Sequence, residues 1–221
     1  MKKVLYLILL FPLFVSAQRK IKTLEVTDTI AFAAVDRPGD LYVVSTTGQI
    51  QKFDKDGKLK VFYKGDQVPT VFDPRDGARI FAYYRDKQEY LYFNPSFDIT
   101  AAYRIDSAFV IEPWLIAPSG DHNLWLLDNA DNSLKKINLT LPEVQVEVTI
   151  DTTLHKKVSS FTHIRDYQGF VFLLDPSKGI DVFNNLGKHI KTIPTVGVHQ
   201  FHFLGEELYY LQDHKLKFFD L

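Results

Sequence analysis

One order of residues occurs five times along this 221-residue chain and limits what it can fold into. It is an apolar run, a short turn, then a second run that ends on a bulky apolar residue followed by Asp or Asn. The clearest copy is Leu41–Lys58, LYVVSTTGQIQKFDKDGK, which reads as two strands joined at Thr46-Thr47-Gly48, then an Asp54-Lys55-Asp56-Gly57 turn into a third. The closing pairs Phe53-Asp54, Phe93-Asn94, Ile137-Asn138, Phe183-Asn184 and Phe219-Asp220 follow one another at 40, 44, 46 and 36 residues. A period of roughly 20–50 residues marks a repeat architecture.

The runs before each closing pair agree. Leu41–Val44 corresponds to Ile80–Tyr83, Leu124–Leu127, Val171–Leu174 and Leu208–Leu211, all continuous apolar stretches of the kind that suits a strand buried on both faces. Turn residues follow each: Thr47-Gly48, Asp86-Lys87, Asp131-Asn132, Ser177-Lys178-Gly179 and Asp213-His214. Helical periodicity is absent after residue 18, so the expectation is an all-β chain in which each repeat is one four-stranded sheet. Such a sheet cannot bury both faces alone. Packing sheets face to face around an axis does so and predicts a β-propeller of about five four-stranded blades, in preference to a right-handed β-solenoid with its shorter rungs. The fifth copy stops at Leu221 and holds three strands, whereas the run at 21–28 has no hairpin partner beside it. It is therefore expected to complete the last blade, close the ring and cover an edge otherwise open to aggregation.

Lys2 and Lys3, the apolar run Val4–Val15 and the small residues Ser16-Ala17 read as a signal peptide cleaved before Gln18. The run is too short for a bilayer, which needs about 20 residues. The expected product is one propeller domain, 18–221, periplasmic or secreted and not membrane-spanning after cleavage. The chain has no cysteine, so it has neither a disulfide framework nor a lipid acceptor at the cleavage site. A formal charge of −1 without any long Lys/Arg block speaks against a nucleic-acid partner.

Leu41–Lys58 and Phe170–Lys188 carry a resemblance to the NHL-type and related six-bladed propeller repeats of exported bacterial proteins, where a Tyr-Val strand runs into a Gly-x-Ile-x-x-Phe-Asp-x-x-Gly-Lys tail. The copies span nearly all of the chain after residue 18, with room for five. The signal segment, ending Ser16-Ala17-Gln18, is similar to those of Bacteroidetes periplasmic proteins. The resemblance implies a propeller fold and no single function, since such propellers serve as binding platforms, lyases and hydrolases.

Chemistry is sparse. Asp54–Gly57 and Asp128–Asn132 imitate calcium loops, but twelve residues into each stands Gly65 or Leu139 in place of the required Glu, and both read as hairpin turns. Four acids are expected on inner strands: Asp36, Asp73, Glu112 and Asp166. Three of these fall where turn chemistry alone asks for Asp. Glu112 stands beside Trp114, an aromatic suited to sugar stacking, yet a glycosidase needs two carboxylates. His163 and His202 occupy similar places in the first strands of repeats four and five and are expected to meet at a central channel, while His199 and His202, three apart in a strand, should point to opposite faces. No Gly-x-Ser-x-Gly elbow is present. The aromatic pairs Tyr83-Tyr84 and Tyr209-Tyr210, with Tyr90, Tyr92, Trp114 and Trp125, are expected mostly between blades. The reading is a non-catalytic module for a protein partner, plausibly part of an outer-membrane complex, with no catalytic, metal or cofactor site and with Glu112, Trp114, His163 and His202 as channel or partner-binding candidates. A lectin-like glycan or small-molecule binder is the alternative, and a hydrolase or lyase a third reading that lacks its second acid.

Overall fold

A computed structural model describes residues 23–141, 143–150 and 157–221. It is an all-β propeller of five antiparallel sheets. The blades are β1 Ile30–Val35, β2 Leu41–Ser45, β3 Gln49–Phe53 and β4 Leu59–Lys64; β5 Val71–Asp73, β6 Ile80–Tyr84, β7 Glu89–Phe93 and β8 Ile99–Arg104; β9 Pro113–Pro118, β10 Asn123–Asp128, β11 Ser133–Asn138 and β12 Glu143–Thr149; β13 His163–Tyr167, β14 Phe170–Asp175, β15 Gly179–Asn184 and β16 His189–Ile193; and β17 Phe201–Leu204, β18 Glu207–Gln212 and β19 Lys215–Asp220. Each sheet keeps its strands in chain order, so every connection inside a blade is a hairpin. The recurring closing pair sits at the end of the third strand in all five blades.

Local chemistry explains why this pair recurs. Asp54 Oδ1 accepts from the amides of Asp56 and Lys58, Asn94 Oδ1 from those of Ser96 and Asp98, and Asn184 Oδ1 from those of Leu186 and Lys188. The side chain thus substitutes for backbone partners in the turn. Just before it, in the first four blades, the third-to-fourth strand register shifts at Lys52/Phe53, Tyr92/Phe93, Lys136/Ile137 and Val182/Phe183. Such a bulge adds twist to the outer strand.

The second strands are buried on both faces because alternate residues serve different neighbours. Ile80, Ala82 and Tyr84 join the cluster between blades one and two, with Tyr42, Ile50 and Phe72. Phe81 and Tyr83 join the larger cluster that links blades two, three and four around Trp125. Likewise Val171 and Leu173 face blade three, whereas Phe172 and Leu174 meet Phe201, Leu208 and Tyr210 of blade five. Among the described residues no buried cluster joins blade five to blade one. Leu208–Leu211 therefore departs from the expected two-sided burial: Leu211 is 64% exposed, and Leu216 and Phe218 on the same face are about half exposed.

Among the described residues the last sheet has three strands. Of the run at 21–28, residues 21 and 22 lie outside the described residues, as does the signal segment, and Thr23–Asp28 belong to no strand. Length accounts for this. The shortest crossover from an outer strand to the next inner strand, 65–70, takes six residues, and a strand ending at Asp28 would leave Thr29 alone to make the same journey to β1.

Candidate functional site

The first strand of each blade is the inner one, and all five run the same way along the axis. Where they begin, residues of β1, β5, β13 and β17 and the loops entering them surround a cavity of about 660 Å³; where they end, a second cavity of about 550 Å³ is lined by Arg37, Arg79, Ser119, His122, Asp166 and Tyr167, among others. A charged crosspiece separates the two. Arg75 donates through Nε to both oxygens of Asp73, at 2.9 and 3.0 Å, and through Nη1 to the Asp166 carbonyl at 2.7 Å. Arg165 returns the connection from blade four, donating through Nη2 to the Phe72 carbonyl at 2.9 Å. Burial opposes ionisation of Asp73, but the guanidinium groups of Arg75 and Arg165 outweigh it and hold the carboxyl well below the usual range.

Period-two alternation decides what faces the axis. On β13, His163 and Arg165 line the first cavity, while Ile164 turns into the core beside blade three and Asp166 accepts from Trp125 Nε1 at 3.2 Å and Ser119 Oγ at 3.1 Å. Burial raises the Asp166 carboxyl. Its place is an inter-blade bond to blade three, not the turn expected of it. Asp36 does follow the expected turn chemistry, accepting from the amides of Gly39 and Asp40 and from the Tyr42 hydroxyl.

His163 and His202 line the same cavity. Burial pushes the His163 imidazole down to about 3 and that of His202 to about 4, with the charge of Arg165 adding to both. His202 stacks on Tyr209 at 5.5 Å. His199 also lines this cavity, contrary to the opposite-face expectation: it precedes β17, so strand alternation does not reach it. Glu112 and Trp114 are not brought to either cavity. Glu112 is exposed just before β9. Trp114 is pinned between blades, its Nε1 donating to the Phe161 carbonyl at 2.9 Å and the Arg85 guanidinium stacked 3.4 Å over its ring, so that face is closed to a sugar.

Sequence reading missed Arg75 and Arg165. The signal that could have found them is the pairing of Asp73-Pro74-Arg75 with Arg165-Asp166 at matching ends of inner strands in repeats two and four. Chemically, the inner-strand acids Asp36, Asp73 and Asp166 are all engaged. Ser119, His122 and Asp166 share the second cavity, but Asp166 bonds Ser119 itself, so no histidine stands between hydroxyl and acid as nucleophilic catalysis requires.

No protein-family model matches the sequence, and no curated protein matches it. Among solved structures the chain is similar to virginiamycin B lyase from Staphylococcus aureus, at 16% identity and a TM-score of 0.55, covering 83% of this chain and 63% of the lyase. It is similar to PorZ of Porphyromonas gingivalis, an essential surface component of the type-IX secretion system, at 14% identity and a TM-score of 0.53, covering 89% of this chain and 28% of PorZ. BamB from Moraxella catarrhalis follows at 13% identity and a TM-score of 0.51, with 88% and 70% covered. The chain spans less than two thirds of the lyase and of PorZ. At these identities the likenesses establish the propeller fold and nothing finer.

Proposed function

We propose that this chain is an exported, non-catalytic β-propeller that acts as a protein-interaction module, an accessory part of an assembly at the bacterial outer membrane. The observation that carries the reading is the last blade. Its face away from blade four presents Leu211, Leu216 and Phe218 to solvent, a set of apolar side chains on one sheet face where the other blades bury theirs. The engaged inner-strand acids leave no pair for acid–base chemistry, which agrees with a binding role. The likeness to a secretion-system surface component, PorZ, gives support of fold only.

The test is cross-linking in the native cell envelope with the wild-type protein and a Leu211→Asp, Phe218→Asp double variant. The expected result is a protein partner captured in near-stoichiometric yield by the wild type and lost with the variant, and N-terminal sequencing of the purified protein beginning at Gln18. Absence of any partner, or equal capture by the variant, overturns the reading.

A further inference from the structure

The cavity at the beginning of the inner strands has a lining unlike any other part of the molecule. Arg165, His163, His199 and His202 converge on it, Thr162 and Gln200 add neutral polar groups, and Phe32, Val68, Phe72 and Leu211 supply apolar wall. Among the described residues none of its lining side chains is acidic. A guanidinium has five N–H donors. Arg165 commits two, to the carbonyls of Ile164 at 3.0 Å and Phe72 at 2.9 Å, and among the described residues has no carboxylate in ion-pair contact, because Arg75 holds both oxygens of the neighbouring Asp73. His163 engages one ring nitrogen, Nδ1, with Thr162 Oγ1 at 3.2 Å, and no hydrogen bond from the ring nitrogens of His199 or His202 is made among the described residues.

We propose that this cavity binds a small organic carboxylate with an apolar body, its charge received by the Arg165 guanidinium with ring N–H groups of the histidines as further donors, and its body lying against Phe32, Val68, Phe72 and Leu211. Three features support that class. The planar fork of a guanidinium matches a carboxylate in two-point contact. A half-buried cation whose acidic neighbour is already engaged gains most from an anion arriving from outside. The volume, about 660 Å³, falls in the range of small-molecule sites, and the crosspiece of Arg75, Asp73 and Arg165 closes its floor. The site is independent of the apolar face through which a protein partner is proposed to dock, save for Leu211 at its rim.

The experiment follows the imidazole resonances of the mature protein by two-dimensional NMR during titration with phenylacetate, its neutral analogue 2-phenylethanol and its cationic analogue phenethylamine. Phenylacetate is expected to shift the His163 and His202 signals saturably in the millimolar range, the alcohol to bind about tenfold more weakly and the amine not at all. Arg165→Gln should abolish the response. Because Arg165 also ties blade four to blade two, His199→Glu provides a second arm: His199 is exposed and makes no hydrogen bond among the described residues, so the fold and its thermal midpoint stay as they are, while a carboxylate at the mouth weakens phenylacetate by about tenfold. Unmoved histidine signals, an alcohol as effective as the carboxylate, or a His199→Glu variant that binds phenylacetate as well as the wild type each overturns the proposal.

Discussion

At the scale of single residues, the same side-chain chemistry serves opposite ends in different places. Asp54, Asn94 and Asn184 sit at the surface and organise turns through local amide bonds, and a sequence pattern is sufficient to identify them. Asp73 and Asp166 look alike in sequence yet differ in the fold: one is ionised between two arginines, the other is raised by burial against Trp125. The channel histidines carry a prediction. Their imidazoles titrate near 6.5 in an unfolded chain, whereas the fold holds His163 at about 3 and His202 at about 4. As pH falls below about 6.5 the unfolded state takes up these protons first, so the histidines' share of stability is full above that pH and is lost on the way down to 3 or 4. Replacing both with Gln should flatten the acid limb: urea midpoints of the variant fall less between pH 7 and pH 4.5 than those of the wild type. An equal fall in both proteins would show that the acid sensitivity arises elsewhere.

At the scale of elements, strand positions were legible and strand surroundings only partly so. The five closing pairs located every third strand, and at Asp54, Asn94, Asn138 and Asn184 the reason is an Asx-type turn, which needs a particular residue at a particular place. Turns that need a left-handed backbone are just as local. Gly179 opens β15 with a φ of +137°, and a Cβ there would stand 2.2 Å from the Ile193 carbonyl oxygen on the neighbouring strand. Gly39, at a φ of +96° in the β1–β2 turn, has open space around it. Gly179→Ala is therefore expected to cost roughly 2–4 kcal/mol, and Gly39→Ala about 1 kcal/mol from backbone strain alone. Urea unfolding of the two variants measures both, and equal losses would remove the role assigned to the Ile193 contact. The crossovers were less legible. Nothing in residues 21–28 states how many must be reserved to carry the chain to β1; only the crossover 65–70, measured against β4 and β5, shows the length required.

At the scale of the whole molecule, three buried clusters join five blades in a row, and the seam between the last and the first is left without one among the described residues. Among the described residues β19 is an edge strand without a partner on its outer side. Deleting Lys20–Asp28 is expected to lower the thermal midpoint, since the deletion removes the approach to β1, the first strand of blade one. A truncated protein that remains monomeric in sedimentation, with an unchanged thermal midpoint, would mean that the approach to β1 contributes nothing to the stability of blade one. The Leu211 and Phe218 substitutions should leave folding nearly intact, because these side chains are already about half exposed or more.

The sequence by itself determined the repeat and the place of most turns, because these follow from alternation and from turn chemistry acting over a few neighbours, while the tertiary structure fixed the count of sheets at five among the described residues. His163 and His202 line one cavity because His202 pairs with Tyr209 as Arg165 pairs with Phe172, so the two histidines stand two register positions apart and period-two alternation turns both to the axis. Only the tertiary structure decided that Arg165 spans from blade four to blade two, that Asp166 belongs to blade three and that Trp114 is covered by Arg85. These contacts join residues about 30 to 90 positions apart, and a side chain's charge state and accessibility depend on which blade stands opposite, a fact that no local pattern contains.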